Sequence, residues 1–326
     1  MNDMSFLHLD RDAGSSCGLP SIGSGNHSQS IRLSACTPSS SCSPNRAVAA
    51  SEPDCLDNTR NEYIHGLDFL WLELTSKCNL QCVHCYAESS PYLPLIQRMT
   101  YADWRRVLEE AVLLGCRKVQ FIGGEPTIYG KLPELICDTR RLGYDFVEVF
   151  TNGTTFTERI MESFLAHKVR IAFSVYSSAA LIHDSITLRK GSFAKTKASI
   201  EWALHEGLPV RVSIIEMQEN ASDVERTRIA LERLGVKEIQ VDRVRAVGRA
   251  SASKEDKLDA DQLCGRCWEG KLCVTPTGEM FPCVFSRRWP VGNIEDSVSD
   301  VVRGPRLSSF RSALQKKVRA EDFRSQ

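Results

Sequence analysis

Hydrophobic and polar positions change their spacing near residue 67. From there, short apolar runs at residues 69–74, 118–122, 146–150, 170–175, 209–215 and 238–241 alternate with longer windows at 102–114, 132–142, 157–167, 194–206 and 223–234. The runs have the length of strands, and the windows repeat their apolar residues every three to four positions, as helices with one buried face do. Thr100 and Asp103 have the spacing of a capping box opening the first helix, while Gly115, Gly143, Gly207 and Gly235 stand where helices must stop. Six strands alternating with helices call for an α/β fold, a parallel sheet with the helices outside it.

Residues 1–65 show no sustained period and are rich in Ser, Asn, Pro and Gly. They lack the apolar content that offsets the entropy of ordering, so a disordered, Ser-rich extension is expected there. The charged run Asp10-Arg11-Asp12 argues against a secretory leader. A chain of 326 residues accommodates one or two domains. Its 41 Lys and Arg balance 41 Asp and Glu, so no long-range field attracts nucleic acid or an anionic membrane surface. No apolar run reaches bilayer-spanning length, and a cytoplasmic protein with neither a nucleic-acid nor a membrane partner is expected.

Cysteine changes this picture, because seven of the 13 fall in two tight clusters. That distribution fits metal ligation in a reducing compartment better than a disulfide framework. Of the others, Cys116 and Cys137 lie in or beside helical windows as small core residues, and Cys17, Cys36, Cys42 and Cys55 carry no recognisable spacing. The first cluster, Cys78-Asn79-Leu80-Gln81-Cys82-Val83-His84-Cys85, leaves the first strand directly. Three thiols can hold three irons of a four-iron cluster and leave the fourth open to a small molecule. The same spacing also suits one face of a helix with buried cysteines, but the intervening residues are mostly polar.

The run Thr75-Ser76-Lys77-Cys78-Asn79-Leu80-Gln81-Cys82-Val83-His84-Cys85-Tyr86, with Gly123-Gly124-Glu125-Pro126-Thr127 downstream, resembles the radical S-adenosylmethionine (radical SAM) enzymes. The resemblance implies that Cys78, Cys82 and Cys85 ligate a 4Fe-4S cluster whose open iron is chelated by SAM. It implies a partial (β/α)6 TIM-like barrel, an electron donor such as flavodoxin or ferredoxin, and SAM's amino group held at Gly123, Gly124 and Glu125. Asn152 and Ser174, at the ends of the third and fourth strands, resemble residues that bind the methionyl carboxylate or ribose; Asn152-Gly153 also reads as a simple turn. His183 is open to an acid–base role or to bracing a loop. Arg245 is open to pairing with a carboxylate of SAM or substrate, or with Asp242.

The second cluster, Cys264, Cys267, Cys273 and Cys283, offers a complete set of four thiols. Residues 275–279 read as a hairpin turn that brings Cys273 and Cys283 together. The span from Cys267 through Gly278 to Cys283 resembles the opening of the SPASM domain, but no cysteine follows Cys283, so one auxiliary 4Fe-4S cluster, as in the shortened twitch version, is expected. Spacing alone leaves zinc open. The division expected is an extension at 1–65, a radical SAM core at 66–250 and a SPASM/twitch-like module at 251–326, with Leu307, Phe310, Leu314 and Val318 on one buried helix face.

These resemblances imply a radical SAM oxidoreductase that removes hydrogen from an unactivated carbon, with a ribosomal peptide precursor as substrate and a separate peptide-recognition protein as a further partner. A dehydrogenase, epimerase or decarboxylase of a sugar, aminocyclitol or nucleoside-like metabolite is the alternative, and a non-catalytic zinc- or cluster-binding scaffold is a third. The tail Phe323-Arg324-Ser325-Gln326 lacks the glycine-rich terminus of molybdopterin-type cyclases, which disfavours that reaction.

Overall fold

The computed structural model describes residues 66–251 and 262–322, the last five of these by their backbone alone. The expected disordered extension, its cysteines, most of the charged linker after Ser251, and the Val318 side chain lie outside the described residues. All six anticipated strands form: β1 (Phe69–Glu73), β2 (Lys118–Ile122), β3 (Phe146–Thr151), β4 (Arg170–Val175), β5 (Val210–Glu216) and β6 (Glu238–Arg243). The helices between them are α1 (Tyr101–Leu113), α2 (Leu132–Arg141), α3 (Glu158–Ala166), α4 (Ala180–Thr187), α5 (Ser192–His205) and α6 (Val224–Leu234). Thr100 and Asp103 make the capping box on α1. Gly115, Gly143, Gly207 and Gly235 all take positive φ, the left-handed geometry that ends a helix at little cost to glycine. Helix α4 is an addition to the pattern expected from spacing; it has two turns only and ends on Leu188, a non-glycine at φ 54°, so the usual stop signal is missing.

The strands pair in parallel in the order β6-β5-β4-β3-β2-β1, and the sheet does not close, because the second flank of β1 is taken by β7 (Lys271–Val274). Strand β8 (Glu279–Phe281) returns antiparallel to β7, and β9 (Gly292–Asn293) pairs with β8. The cysteine-rich segment therefore continues the main sheet, with Trp71 in register with Cys273. Helices α7 (Val298–Arg303) and α8 (Pro305–Asp322) follow.

Alternation along the strands separates two faces. Leu70, Leu72, Val119, Phe121, Val147, Val149, Ile171, Val212 and Ile214 enter one core beneath the helices, joined by Leu272, Val274, Val298 and Leu307 from the C-terminal part. The opposite face is polar: Trp71 Nε1 donates to Gln120 (2.8 Å), Gln120 to Glu148, and Glu148 also accepts from Arg170 (3.0 Å) and Arg211 (2.9 Å). On α8, Leu307 and Leu314 are buried and Phe310 is half-buried. The buried Arg311 donates to the carbonyls of Gly66 and Lys271, both at 2.9 Å, and thereby ties α8 to the start of β1 and to β7.

Candidate functional site

The first cysteine cluster occupies the loop that leaves β1, and backbone contacts from several elements fix its path. Gly124 N donates to Thr75 O (2.6 Å) and Glu125 N to Lys77 O (3.0 Å). A Cβ on Gly123 would stand 2.7 Å from Thr75 O, and one on Gly124 only 2.0 Å from Lys77 O. The Gly-Gly pair thus admits the cysteine loop itself, in addition to any ligand. From the other side, Val83 N donates to Ile186 O (3.0 Å) and Gln81 N to Thr187 O (3.3 Å), anchoring the loop on α4. A short 3-10 turn after β6, Gly248–Ala250, supplies Arg249, which donates from Nε to Cys82 O (2.8 Å) and from Nη2 to Ser89 O (2.9 Å).

Glu125 is fully buried in an extended conformation that Pro126 favours. Its carboxylate accepts from Thr127 N (3.0 Å), Thr127 Oγ1 (2.7 Å), Thr151 Oγ1 (2.6 Å) and Asn152 N (2.8 Å). Burial raises its pKa, and these four bonds offset part of that rise. Asn152 is occupied likewise: its Nδ2 donates to Asn79 Oδ1 (2.9 Å) and faces Cys78 Sγ (3.7 Å), while its Oδ1 accepts from Thr154. Cys78 is buried, with Cys82 and Cys85 half-buried, and none of the three is in a disulfide. Burial pushes the thiol of Cys78 well up, helped by Glu125, and that of Cys82 up to about 12, helped by Cys85.

Ser174 meets the hydroxyl of buried Tyr176, which in turn meets Cys82. The ring of Tyr176 also stands edge-on to His84, 4.7 Å away. Asn220, after β5, donates to Tyr176 O (2.8 Å) and Ile215 O (2.9 Å) and binds the exits of β4 and β5 together. His183 is buried in α4 with Nδ1 3.1 Å from Ser192 Oγ, and Asp184 accepts from Gly191 N and Phe193 N, so this pair braces the turn into α5. Arg245 stands on the auxiliary side: it pairs with Asp242 (2.9 Å), donates to Gln262 O (2.8 Å) and lies over the Phe285 ring at 5.2 Å.

The four auxiliary thiols come from the segment before β7, from β7 itself and from the segment after β8. Cys267 Sγ lies 3.0 Å from Cys283 Sγ, Cys264 interacts with Cys267, and Cys273 lies on β7 within electrostatic reach of Cys283. Shared protons split their acidities. Cys264 falls to about 5 and Cys283 also falls through their contacts with Cys267, whose own pKa is raised by those same contacts. Burial raises Cys273.

Both sets fit iron–sulfur clusters. The donors are thiols free of disulfides, the ligand type that such clusters take. Beside the first triplet, His84 Nδ1 is buried with no hydrogen-bond partner, as a side chain lining a ligand space would be. Sequence reasoning missed Arg249 as a clamp on the cysteine loop, and the ion pair between Glu73 at the end of β1 and Arg287. Nothing local distinguishes a functional arginine 160 residues away from a solvated one, although Glu73 in an otherwise apolar strand was a readable signal.

Residues 72–229 match the family profile of the Radical SAM superfamily, and residues 264–323 match SPASM, an iron–sulfur cluster-binding domain. The chain is 27% identical to the antilisterial bacteriocin subtilosin biosynthesis protein AlbA of Bacillus subtilis, over 72% of this chain and 59% of that protein. It is 28% identical to GTP 3′,8-cyclase of Corynebacterium glutamicum, over 72% of this chain and 63% of that protein. It thus spans about three-fifths of the length of these two curated relatives. Among solved structures, Streptococcus suis SuiB bound to precursor peptide SuiA superposes with a TM-score of 0.64 at 13% identity, covering 82% of this chain and 74% of that one, a likeness of fold. SAM, its 4Fe-4S cluster and auxiliary iron–sulfur centres are the cofactors of these two families, and the thiol sets above fit them. The chain belongs to the radical SAM superfamily and carries a SPASM domain after its radical SAM core.

Proposed function

We propose that this protein modifies a ribosomally made peptide by radical SAM chemistry, with Cys78, Cys82 and Cys85 holding the SAM-binding cluster and Cys264, Cys267, Cys273 and Cys283 a single auxiliary cluster. The observation that carries the reading is the pairing of β1 with β7, which sets the first cysteine loop at the end of β1 and Cys273 one strand away. When bound, the cluster and SAM supply a 5′-deoxyadenosyl radical able to remove hydrogen from an unactivated carbon. The chain's own residues fix the geometry for that step. Arg249, Asn152 and the Gly123-Gly124 backbone hold the cysteine loop still.

The peptide reading takes support from AlbA, a bacteriocin biosynthesis protein, and from the fold shared with SuiB, which was solved with a precursor peptide. A small-molecule substrate is the second reading, favoured by the similarity to a GTP cyclase. We place the enzyme in the cytoplasm, fed by flavodoxin or ferredoxin and assisted by a separate peptide-recognition protein; among the described residues no helix is long and apolar enough to cross a membrane.

The test is anaerobic reconstitution with iron and sulfide, followed by SAM and candidate precursor peptides. Formation of 5′-deoxyadenosine that is lost in Cys82→Ala, with a mass change in the peptide, supports the proposal. Cleavage of SAM with no peptide changed, but turnover of a nucleotide or sugar, transfers it to the second reading. A fully loaded protein that leaves SAM intact refutes both.

A further inference from the structure

A charged pair unused by the assignments above lies between the two thiol sets. Glu73 ends β1 with its side chain 3% exposed, and its carboxylate accepts from Arg287 Nη2 and from the Tyr86 hydroxyl at 3.0 Å. Tyr86 directly follows Cys85, and the thiol of Cys273 meets the same Glu73 carboxylate. Arg287 is stacked at 5.2 Å over the Phe281 ring and 5.7 Å over the Tyr86 ring, and Phe285 closes on Tyr86 at 5.3 Å. One carboxylate and one guanidinium therefore touch the flank of the first cysteine loop and a ligand residue of the second set, in an environment walled by aromatic rings.

An ion pair serving packing alone would need no cysteine partner. Charges in a dry, low-dielectric site act strongly on their neighbours, and net charge nearby is one of the levers that set iron–sulfur reduction potentials. A cluster that takes up one electron becomes more negative by one charge. A carboxylate beside its ligand opposes that change, and a guanidinium favours it.

We propose that Glu73 and Arg287 are positioning residues that set the reduction potential of the auxiliary cluster by opposed fixed charges. Glu73 holds the potential down, Arg287 holds it up, and Tyr86 carries a weaker influence to the first cluster. The inference rests on the reading that the four C-terminal cysteines hold a redox-active iron–sulfur cluster.

The experiment is an EPR-monitored redox titration of the reconstituted full chain and of Glu73→Gln, Arg287→Gln, Arg287→Lys and the double Gln variant. Glu73→Gln is expected to move the auxiliary midpoint upward and Arg287→Gln downward. Arg287→Lys stays near the parent, the double variant falls between the singles, and the first cluster shifts less in every case. A purely structural role would lower cluster occupancy in both single variants without opposite shifts. Shifts of the same sign, or none, in proteins that retain both clusters overturn the inference. If Arg287→Gln fails to load, Glu73→Gln and Arg287→Lys still decide it, since no upward shift in the former refutes the charge argument. Iron content separates the premise from the inference: about four irons per chain in the parent, with SAM cleavage intact, removes the auxiliary cluster itself, whereas about eight leaves the potentials to judge.

Discussion

Arg249 Nε donates to the carbonyl of Cys82 at 2.8 Å, joining two residues 167 positions apart in the chain. The turn that carries Arg249 packs so closely on the cysteine loop that a Cβ on Gly248 would stand 2.4 Å from Cys85 O. The end of β6 thus fixes the loop that leaves β1. Lysine at 249 keeps the charge and loses the planar fork that reaches two carbonyls. Hydrogen bonds to charged groups contribute about 1.5–3 kcal/mol, so Arg249→Lys is expected to slow SAM cleavage by about tenfold, with the auxiliary cluster retained. The measurement is 5′-deoxyadenosine formed per SAM-binding cluster, and an unchanged rate would refute the clamp.

Gly124 is required by contact with backbone, which cannot rotate aside. Its added Cβ would lie 2.0 Å from Lys77 O and 2.5 Å from Lys77 C, immediately before Cys78. Gly124→Ala is expected to displace the cysteine loop and reduce bound iron to about half, the auxiliary share. Gly130→Ala is the control, because a Cβ added there meets nothing within 4 Å and no positive φ is needed. Equal iron in the two variants would contradict the packing argument.

Arg311 is a buried cation that satisfies two carbonyls. Desolvation pulls its pKa down to about 10, so part of what its bonds contribute is spent on keeping it charged. Arg311→Met removes that cost but leaves the Gly66 and Lys271 carbonyls without their donor, for an expected net loss of about 2 kcal/mol. Urea unfolding monitored by circular dichroism is the check: the midpoint falls while the denaturant slope stays constant.

Burial lowers the pKa of His183 from 6.5 to about 4. Between those values the unfolded chain binds a proton that the folded chain does not, so this residue costs stability as pH falls from about 6.5 to about 4 and nothing above that window. The full effect is at most about 3 kcal/mol. His183→Gln, which has no such proton to gain, is expected to flatten the pH dependence of the unfolding free energy over that range. A slope identical to the parent's would mean that His183 does not stay neutral in the fold.

Much of the site was legible locally. Residues 69–74 followed at once by Cys78, Cys82 and Cys85 specified a strand and a ligand loop together, and the positive-φ glycines marked the helix ends where the structure has them. Residues whose partners are distant in the chain were not legible. Arg245 read equally well as a SAM contact or as a partner of Asp242, and its position beside Gln262 depends on where the chain after residue 250 returns. Helix α4 escaped the pattern because a two-turn helix closed by Leu188 in the left-handed region carries neither the length nor the stop signal that periodicity needs.

The amino-acid order by itself determined the six parallel strands, the helices between them other than α4, both thiol sets and the glycine pair, because each depends on side-chain period or on spacing within a few residues. Only the tertiary structure decided that β7 takes the free flank of β1, that Arg249 closes on Cys82, and that Glu73 lies between Cys273, Arg287 and Tyr86. Those contacts join segments up to 214 residues apart, and they are set by which strand edges and buried charges find partners when the chain packs, a competition no local pattern encodes.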